Sequence, residues 1–352
     1  MPPPVDTGAP ASPFAGLPGA LWCYRFDGDG RARAADAAAC VPDAPDGAAA
    51  AGWCWLHLDL SDVRSAQVVA RLPIPDDARD ALLSPDTYVN LQRENDAAHG
   101  VFVDWVHQRG VDLAAEGQLR GDDGIGWLHF ALTGTLLVTA RRQALRSVEA
   151  ARRRVAAGTP AGSPVRLLEA IVDRFADTVE RSGDGLSTRL DRIEDRVLAD
   201  SIGEERRDLA QLRHQTVRLH RPLTAMRRVL RQFEQRHPAD EEHELLTAVS
   251  RLNQRFDDLD GDVGTLQERA RLLQDEVAAK LAERTNRHLY VLSMITALLL
   301  PPSLVAGLFG MNLPGLPFAH SAHGLAFALL LGAASSVAVY LVLRRMGVAR
   351  ST

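Results

Sequence analysis

The N-terminal part of the chain alternates short apolar runs with turn residues, a pattern typical of strands. A mixed α/β domain is therefore predicted over residues 21–158, after a disordered tail over residues 1–20. Helical spacing predicts two helices between the strands, at Ser61–Arg71 and Asp76–Leu83. The predicted strands are Leu21–Phe26, Trp53–Leu60, Gly100–Gln108, Gly126–Gly134 and Thr135–Arg142.

Helical periodicity replaces this alternation in a stalk region over residues 159–288. Cap residues and prolines divide the region into long helices. The predicted helices run from Ser163-Pro164 to about Asp200, from Gly203 to Arg236, and from about Asp240 with no proline before Pro301.

The third of these helices carries an apolar residue at every third or fourth position, which is a heptad pattern. We interpret this apolar seam as the face of an antiparallel hairpin with the two preceding helices. A coiled coil between copies of the chain is the alternative. The apolar seam consists of Val249, Leu252, Phe256, Leu259, Val263, Leu266, Ala270, Leu273 and Val277.

Two uncharged apolar runs follow, at residues 289–309 and 325–343. Each is long enough to cross a hydrocarbon core of about 30 Å, which predicts two transmembrane helices joined by an outer loop over residues 310–324. Basic residues flank the pair on both far sides, whereas the loop has neither Lys nor Arg. The positive-inside rule therefore predicts that both ends of the chain, including a basic tail over residues 344–352, are cytoplasmic.

Small and polar residues follow one face of the first apolar run in heptad register. They allow two interpretations, close packing against another helix or the lining of a water-filled path. Their register differs from that of the apolar seam by two residues, which is about 200° on one continuous helix. The seam would then pack within the subunit while the opposite face turns to a central axis, which favours the path. This polar stripe consists of Asn286, Leu289, Ser293, Thr296, Leu300, Ser303 and Gly307.

Two membrane helices cannot enclose a path by themselves, so the interpretation requires several copies of the chain around an axis. Pro301-Pro302 removes backbone donors within the first run and frees carbonyl groups near Leu298. Both a simple kink and a contact of these carbonyls with water or an ion are consistent with the pattern.

Gly310-Met311-Asn312 stands where the first apolar run reaches the outer surface. A ring of Asn312 carboxamides would accept hydrogen bonds from the water shell of a cation. Gly310 allows the chain to leave the helix in a conformation closed to other residues. A helix C-cap is the alternative role of Asn312.

Composition narrows the class of protein. The chain has 352 residues and a net charge of −5 at pH 7, which argues against nucleic-acid binding. Cys23, Cys40 and Cys54 form no CxxC pair, which indicates buried thiols in a reducing compartment. The N-terminus lacks the pattern of a secretory signal.

No pattern of an enzyme is found, since the sequence has no P-loop, GxSxG or HExxH motif. We interpret His57, His107 and His129, which lie in predicted strands, as structural residues. No prosthetic group is indicated.

The order of these parts resembles the CorA family of divalent-cation transporters. An α/β domain, a very long helix, Gly-Met-Asn at its outer end, a short loop and a second membrane helix carry the resemblance over nearly the whole chain. It implies a homopentameric funnel in a bacterial inner membrane, with Asn312 as the outer selectivity ring. It also implies that Leu292 joins Asn286, Leu289, Leu300, Ser303 and Gly307 in lining or gating the path.

Within that family, the loop sequence LPGLPFAHSAHG is similar to the ZntB zinc-transporter branch, because it lacks the acidic residues of the magnesium branch. The resemblance implies Zn2+ as the transported ion and suggests proton coupling, although neither apolar run has a charged residue to carry a proton. A magnesium or cobalt channel is the alternative, since Gly-Met-Asn is common to both branches. A membrane-anchored sensor or scaffold is a more distant alternative.

Two further groups are candidate metal ligands. Imidazole suits zinc better than magnesium, so His320 and His323 of the outer loop are candidates, with ordinary surface histidines as the alternative. The densest acidic patch of the third long helix is the other group, and a solvated helix face is its alternative. This acidic patch consists of Asp257, Asp258, Asp260 and Asp262.

Overall fold

The computed structural model describes residues 19–36, 52–94, 96–107, 124–199, 205–237, 244–311 and 323–345. The predicted N-terminal tail before residue 19, Cys40, Asn312, His320 and the predicted tail beyond residue 345 lie outside the described residues. The chain divides into two compact units, Met1–Leu272 and Leu273–Thr352.

A seven-stranded mixed sheet forms the first part of the first unit. Its strands are β1 (Ala20–Phe26), β2 (Ala32–Ala34), β3 (Trp53–Asp59), β4 (Asn90–Glu94), β5 (Ala97–Trp105), β6 (Ile125–Leu132) and β7 (Leu136–Arg141). They lie in the order β2-β1-β3-β7-β6-β5-β4. Only the central β3–β7 pair is parallel, and the other neighbouring pairs are antiparallel.

Helices cover both faces of this sheet. The short helices α1 (Ser65–Val69) and α2 (Asp76–Leu83) pack on one face, in a cluster that includes Leu56 of β3 and Val138 of β7. On the other face, α3 (Arg146–Ala156) brings the Arg152 guanidinium over the Trp22 ring, 5.3 Å from the ring centroid. The domain therefore has three layers, and the prediction of an α/β domain is confirmed.

The predicted strands were found with ends shifted by a few residues, but three elements were missed. β2 and β4 are the two edge strands, which alternate apolar and polar residues too weakly to be recognised. α3 was missed because its N-cap, Leu145, makes no side-chain cap bond. The predicted helix Ser61–Arg71 was too long, since Asp62 binds the backbone N–H of Arg64 in a turn that competes with helix.

Asp104 supplies the cap that α3 lacks locally. The carboxylate of Asp104 accepts the backbone N–H of Ser147 at 2.8 Å and the Ser147 hydroxyl at 2.7 Å. Asp104 is buried, and burial raises its pKa to about 6, although the hydrogen bonds from Ser147 and Trp105 act in the opposite direction. A carboxylate at a helix N-terminus is favourably placed against the helix dipole.

His57 and His129 are buried within the sheet domain, in agreement with the structural role that we assigned to them. His57 stacks on Trp22, and its Nδ1 lies 2.7 Å from the Thr139 hydroxyl. Burial and the nearby Arg141 lower its pKa well below the usual value, so the imidazole is neutral. Nδ1 of His129 lies 3.2 Å from the carbonyl oxygen of Ala81 in α2.

Three long helices follow the sheet: α4 (Pro164–Leu198), α5 (Glu205–Arg236) and α6 (Glu244–Gly310). The Ser163 side chain caps α4, as predicted, by accepting the Arg166 N–H at 3.2 Å. The apolar seam is buried along its whole length, from Val249 to Val277. Phe256 in its middle stacks on Phe175 of α4, with ring centroids 6.0 Å apart.

Ion pairs show how these helices run. Along α4 and α6 the pairs advance together, from Arg251 with Glu169 at 2.7 Å to Arg269 with Asp191 at 2.7 Å, so the two helices are parallel. α5 runs antiparallel to α4, since Arg189 bonds to Gln215 at 2.8 Å and Arg196 pairs with Asp208 at 2.6 Å.

The apolar seam therefore packs within the chain, as interpreted. α6 forms an antiparallel hairpin with α5, since Asp260 pairs with Arg227 and Asn253 bonds to Glu234, whereas it lies parallel to α4.

The second unit contains α6 from Leu273 onward and α7 (Gly324–Arg345). Both helices are long and apolar enough to cross a membrane. A core helix of a soluble protein would be mostly buried. In this chain, 0% of the most apolar 18-residue stretch of α6 and 6% of that of α7 is buried. The two apolar C-terminal helices were predicted at these places in the chain.

Candidate functional site

α7 packs on one side of the apolar part of α6. Phe309 and Phe327 bring their ring centroids to 6.2 Å. Gly332 lies against Pro302, since a Cβ at Gly332 would stand 3.6 Å from the Cβ of Pro302. One turn further along α7, the Ser336 hydroxyl donates to the carbonyl oxygen of Leu298 at 3.0 Å. The α7 side of α6 thus includes Leu298, Pro302 and Phe309.

The polar stripe lies on the other side of the same helix. With about 100° per residue, the centre of its Thr296–Gly307 part is roughly 150° away, around the helix axis, from the centre of the residues that meet α7. The positions that we predicted to line a path, including Leu292, are all exposed in the single chain. These exposed positions are Asn286, Leu289, Leu292, Ser293, Thr296, Leu300, Ser303 and Gly307. The stripe is therefore not the surface on which α6 meets α7.

Two hydroxyl groups of the stripe are oriented by their own helix. Thr296 donates to the carbonyl oxygen of Leu292 at 2.9 Å, and Ser303 donates to that of Leu299 at 2.7 Å. Because each proton is used in this way, the oxygen lone pairs are the groups that each side chain can present outward. The stripe is uncharged from Leu289 to Phe309, so any ion beside it would meet dipoles rather than fixed charges.

The end of α6 falls at the predicted Gly-Met-Asn sequence. The helix ends at Gly310, and the N–H of Met311 bonds to the carbonyl of Leu308 at 3.4 Å in a tightened last turn. The side chain of Met311 is exposed. Asn312 lies outside the described residues, so its role as selectivity ring or C-cap remains a prediction.

The acidic patch of α6 is divided between two environments. Asp260 forms an ion pair with Arg227 of α5 and accepts the Thr224 hydroxyl at 3.1 Å, and Asp257 lies 3.4 Å from Arg227. Asp258 and Asp262 are exposed. Within the described ranges, no group of three or more His, Cys, Asp or Glu side chains could hold a metal ion. A metal site here remains a prediction, and two of its four carboxylates face an arginine.

The outer-loop histidines are only partly described. His323 is exposed, and its carbonyl accepts the N–H of Phe327 in the first turn of α7. His320 lies outside the described residues. Their ligand role stays a prediction.

One contact of the site was not anticipated from the sequence. The bond from Ser336 to the Leu298 carbonyl joins residues 38 positions apart. Because Pro302 has no N–H, the sequence indicates that the Leu298 carbonyl needs another donor. The sequence of α7 is evenly apolar, so it does not indicate which face of α7 turns toward α6 and brings Ser336 to this carbonyl.

Comparisons with known proteins agree with this architecture. Residues 50–345 match a protein family described as CorA-like Mg2+ transporter protein. The chain is 27% identical over 311 residues to a protein of Yersinia pseudotuberculosis serotype O:1b (strain IP 31758) named zinc transport protein ZntB, covering 87% of this chain and 88% of that protein.

Two solved structures are similar over nearly their whole length. The full-length CmaX protein superposes with a TM-score of 0.72 at 22% identity, covering 94% of this chain and 98% of CmaX. The CorA magnesium transporter from Methanocaldococcus jannaschii superposes with a TM-score of 0.69 at 16% identity, covering 92% of this chain and 98% of that chain. These likenesses show a shared fold: the sheet domain, the long helix and the two apolar helices.

Proposed function

Since this chain belongs to the family of CorA-like Mg2+ transporter proteins, we propose that it moves divalent metal cations, with Zn2+ as the favoured ion. The path is the axis of a homopentamer, lined by the polar stripe of α6. The observation that carries this proposal is the position of the stripe, which is exposed and lies opposite the side that meets α7.

This position bears on the two interpretations of the stripe. If small and polar residues served to pack α6 against α7, they would face α7, and they face away from it. In an apolar surrounding such a face needs another copy of the chain or water. Five copies with their stripes turned inward would provide both, and would surround the path with hydroxyl oxygens and backbone.

Zinc is favoured by the surroundings of the outer mouth. The loop after Asn312 has no carboxylate to concentrate a strongly hydrated dication, and it contains His320 and His323. A relative over most of the chain is named a zinc transport protein. In the proposal, Gly310, Met311 and Asn312 form the selectivity motif, and the Asn312 carboxamides bind the water shell of the ion.

Magnesium is the second candidate ion, because the matched family is described by Mg2+ transport. Mg2+ keeps several waters when it binds proteins, and a ring of neutral amides can hold such a hydrated ion. A magnesium or cobalt channel therefore remains the alternative function. A sensor or scaffold is disfavoured by the family.

The membrane arrangement is part of the same proposal. Residues 289–309 and 325–343 span a bacterial inner membrane, residues 310–324 lie outside, and both ends of the chain are cytoplasmic. The membrane potential supplies about 2.3 kcal/mol per charge per 100 mV as a driving force. Proton coupling, if present, uses groups outside the two uncharged spans.

Flux into liposomes tests the proposal. The purified full chain is reconstituted with a zinc-sensitive dye inside, and in parallel with a magnesium-sensitive dye. We expect external Zn2+ to enter faster than Mg2+, and Asn312→Ala to lose most of the flux because the ring of carboxamides is gone. Gln92→Ala, which removes an exposed carboxamide from β4, is the matched control and should keep the parent rate.

The outcomes separate the candidates. Mg2+ entry at a rate comparable to Zn2+ would contradict zinc preference and leave a divalent-cation transporter. A folded protein that passes neither ion would contradict transport itself. If zinc enters, repeating the assay with an imposed pH gradient shows whether protons contribute.

A further inference from the structure

The interior of α6 contains a carbonyl whose helical partner is missing. α6 continues through Pro301 and Pro302 to Gly310. In a regular α-helix the N–H of residue 302 would donate to the carbonyl of Leu298, but proline has no N–H. In the apolar part of a helix this oxygen would be left without a donor, which is costly away from water.

α7 provides a donor at that point. The Ser336 hydroxyl donates to the Leu298 carbonyl oxygen at 3.0 Å. The neighbouring Ser335 behaves differently, since its hydroxyl donates to the Gly332 carbonyl of its own helix at 2.7 Å. Thr296 and Ser303 also bond within their own helix. Ser336 is thus oriented across the helix pair, in contrast to these three hydroxyls.

The close approach of the two helices makes the bond possible. Gly332 precedes Ser336 by one turn and lies on the same face of α7. Because Gly332 has no side chain, Pro302 approaches it closely: a Cβ added to Gly332 would lie 3.6 Å from the Cβ of Pro302. The Pro302 ring and the Leu298 carbonyl, one turn apart, therefore face Gly332 and Ser336, one turn apart.

We propose that Ser336 is a positioning residue whose hydroxyl replaces the backbone N–H that Pro302 lacks, and so fixes α6 against α7. The bond keeps the Leu298 carbonyl on the α7 side, opposite the polar stripe. The sequence allowed a simple kink or a contact of the freed carbonyls with water or an ion, and the Leu298 oxygen instead serves helix pairing. The bond also sets the rotation of α6 about its axis near Ser303. Any effect of this rotation on transport rests on the proposed function.

A double-mutant cycle tests this pairing. Ser336→Ala is made in the full-length parent, in Pro302→Ala and in Pro301→Ala, and the melting midpoint is read from loss of the folded peak in size-exclusion chromatography. Pro302→Ala restores the N–H that bonds to Leu298, so Ser336 becomes dispensable there. Pro301→Ala restores an N–H whose partner is residue 297, so the need for Ser336 persists.

We expect the effect of Ser336→Ala on the melting midpoint to depend on which proline is present. Ser336→Ala lowers the midpoint by roughly 1–4 °C in the parent and in Pro301→Ala, and has little effect in Pro302→Ala. Ser336→Thr, which keeps a hydroxyl, retains most of the parent midpoint. Ser335→Ala, the adjacent control, has little effect because its bond stays within α7. Equal losses in all three backgrounds, or no loss in the parent, would overturn the assignment.

Ion flux gives a second measurement. In liposomes, Ser336→Ala is expected to lower the maximal rate by roughly threefold and to leave the apparent KM unchanged, because Ser336 does not face the path. The melting cycle requires no transport, so it can succeed where the proposed function fails. If the melting midpoints show the expected dependence on Pro302 but no variant passes ions, transport alone is contradicted. If all variants pass ions normally but the effect of Ser336→Ala does not depend on Pro302, the role of Ser336 alone is contradicted.

Discussion

Asp104 is a buried carboxylate whose pKa is about 6, and this makes the stability of the sheet domain depend on pH. An unfolded Asp has a pKa of about 3.9. Between the two values the folded state holds a proton that the unfolded state releases. Stability from this group is therefore greatest below about pH 4 and is lost as the pH rises through about 6.

Asp104→Asn removes this titration, so the difference in free energy of unfolding between parent and variant reports on it. We expect the parent to lose roughly 2 kcal/mol relative to the variant between pH 4 and pH 7. Urea unfolding followed by tryptophan fluorescence measures it, since all five tryptophans lie between residues 22 and 127.

Asp62→Asn is the control with the opposite sign. The hydrogen bond from Arg64 lowers the pKa of Asp62, so its contribution is present at neutral pH and lost on acidification. A parent-minus-variant difference at Asp104 that stays constant with pH would contradict a raised pKa.

At the scale of elements, the spacing of apolar residues predicted burial best for helices that bury one face along their length. The apolar seam of α6 was read in full because the same face packs over many turns. The polar face opposite it, including Gln254, Asp258 and Thr265, is exposed as the phase required. α3 was missed because its cap comes from Asp104, 42 positions before Arg146 in the chain, and only the folded sheet brings them together.

The candidate site was predictable to the same extent. The stripe and its phase follow from spacing, whereas the partners of Asp260 and of the Leu298 carbonyl come from other helices. A sequence reports which residues share a face, but it does not report which side of a second, evenly apolar helix meets that face.

Thiol labelling tests which face of α6 borders the path. Ser303→Cys and Leu304→Cys are made in a chain whose three natural cysteines are alanine. Both positions are exposed in the single chain, but they are adjacent in sequence and point about 100° apart. A positively charged, membrane-impermeant methanethiosulfonate reagent should abolish most of the flux through Ser303→Cys, because it places a fixed cation in the path.

The same reagent should leave flux through Leu304→Cys near its starting value. The two positions lie at the same depth, so a difference between them reflects orientation alone. Equal block at both, or block only at Leu304→Cys, would contradict the inward orientation of the stripe.

At the scale of the whole molecule, the membrane part of one chain is incomplete as a path. Two helices leave the stripe exposed, and the proposed function requires several copies to enclose it.

We expect native mass spectrometry of the detergent-solubilised protein to give five copies. The physical reason is that a polar face in an apolar surrounding is relieved when copies bring their stripes together. Ser303→Leu, which removes a polar group from the stripe, should weaken the assembly or change its number of copies, while Leu304→Ile should not. A monodisperse single chain in mild detergent would contradict the pentamer.

The self-bonded hydroxyls of Thr296 and Ser303 have a consequence for biosynthesis. A newly made chain must enter the bilayer before it meets its partners, and a side chain with an unsatisfied proton would resist that step. Both hydroxyls already donate to carbonyls of their own helix, at 2.9 and 2.7 Å. These two protons therefore add little to the cost of inserting a single copy, whereas the oxygen lone pairs stay without a donor until other copies or water meet them. Insertion and assembly can then occur as two separate events.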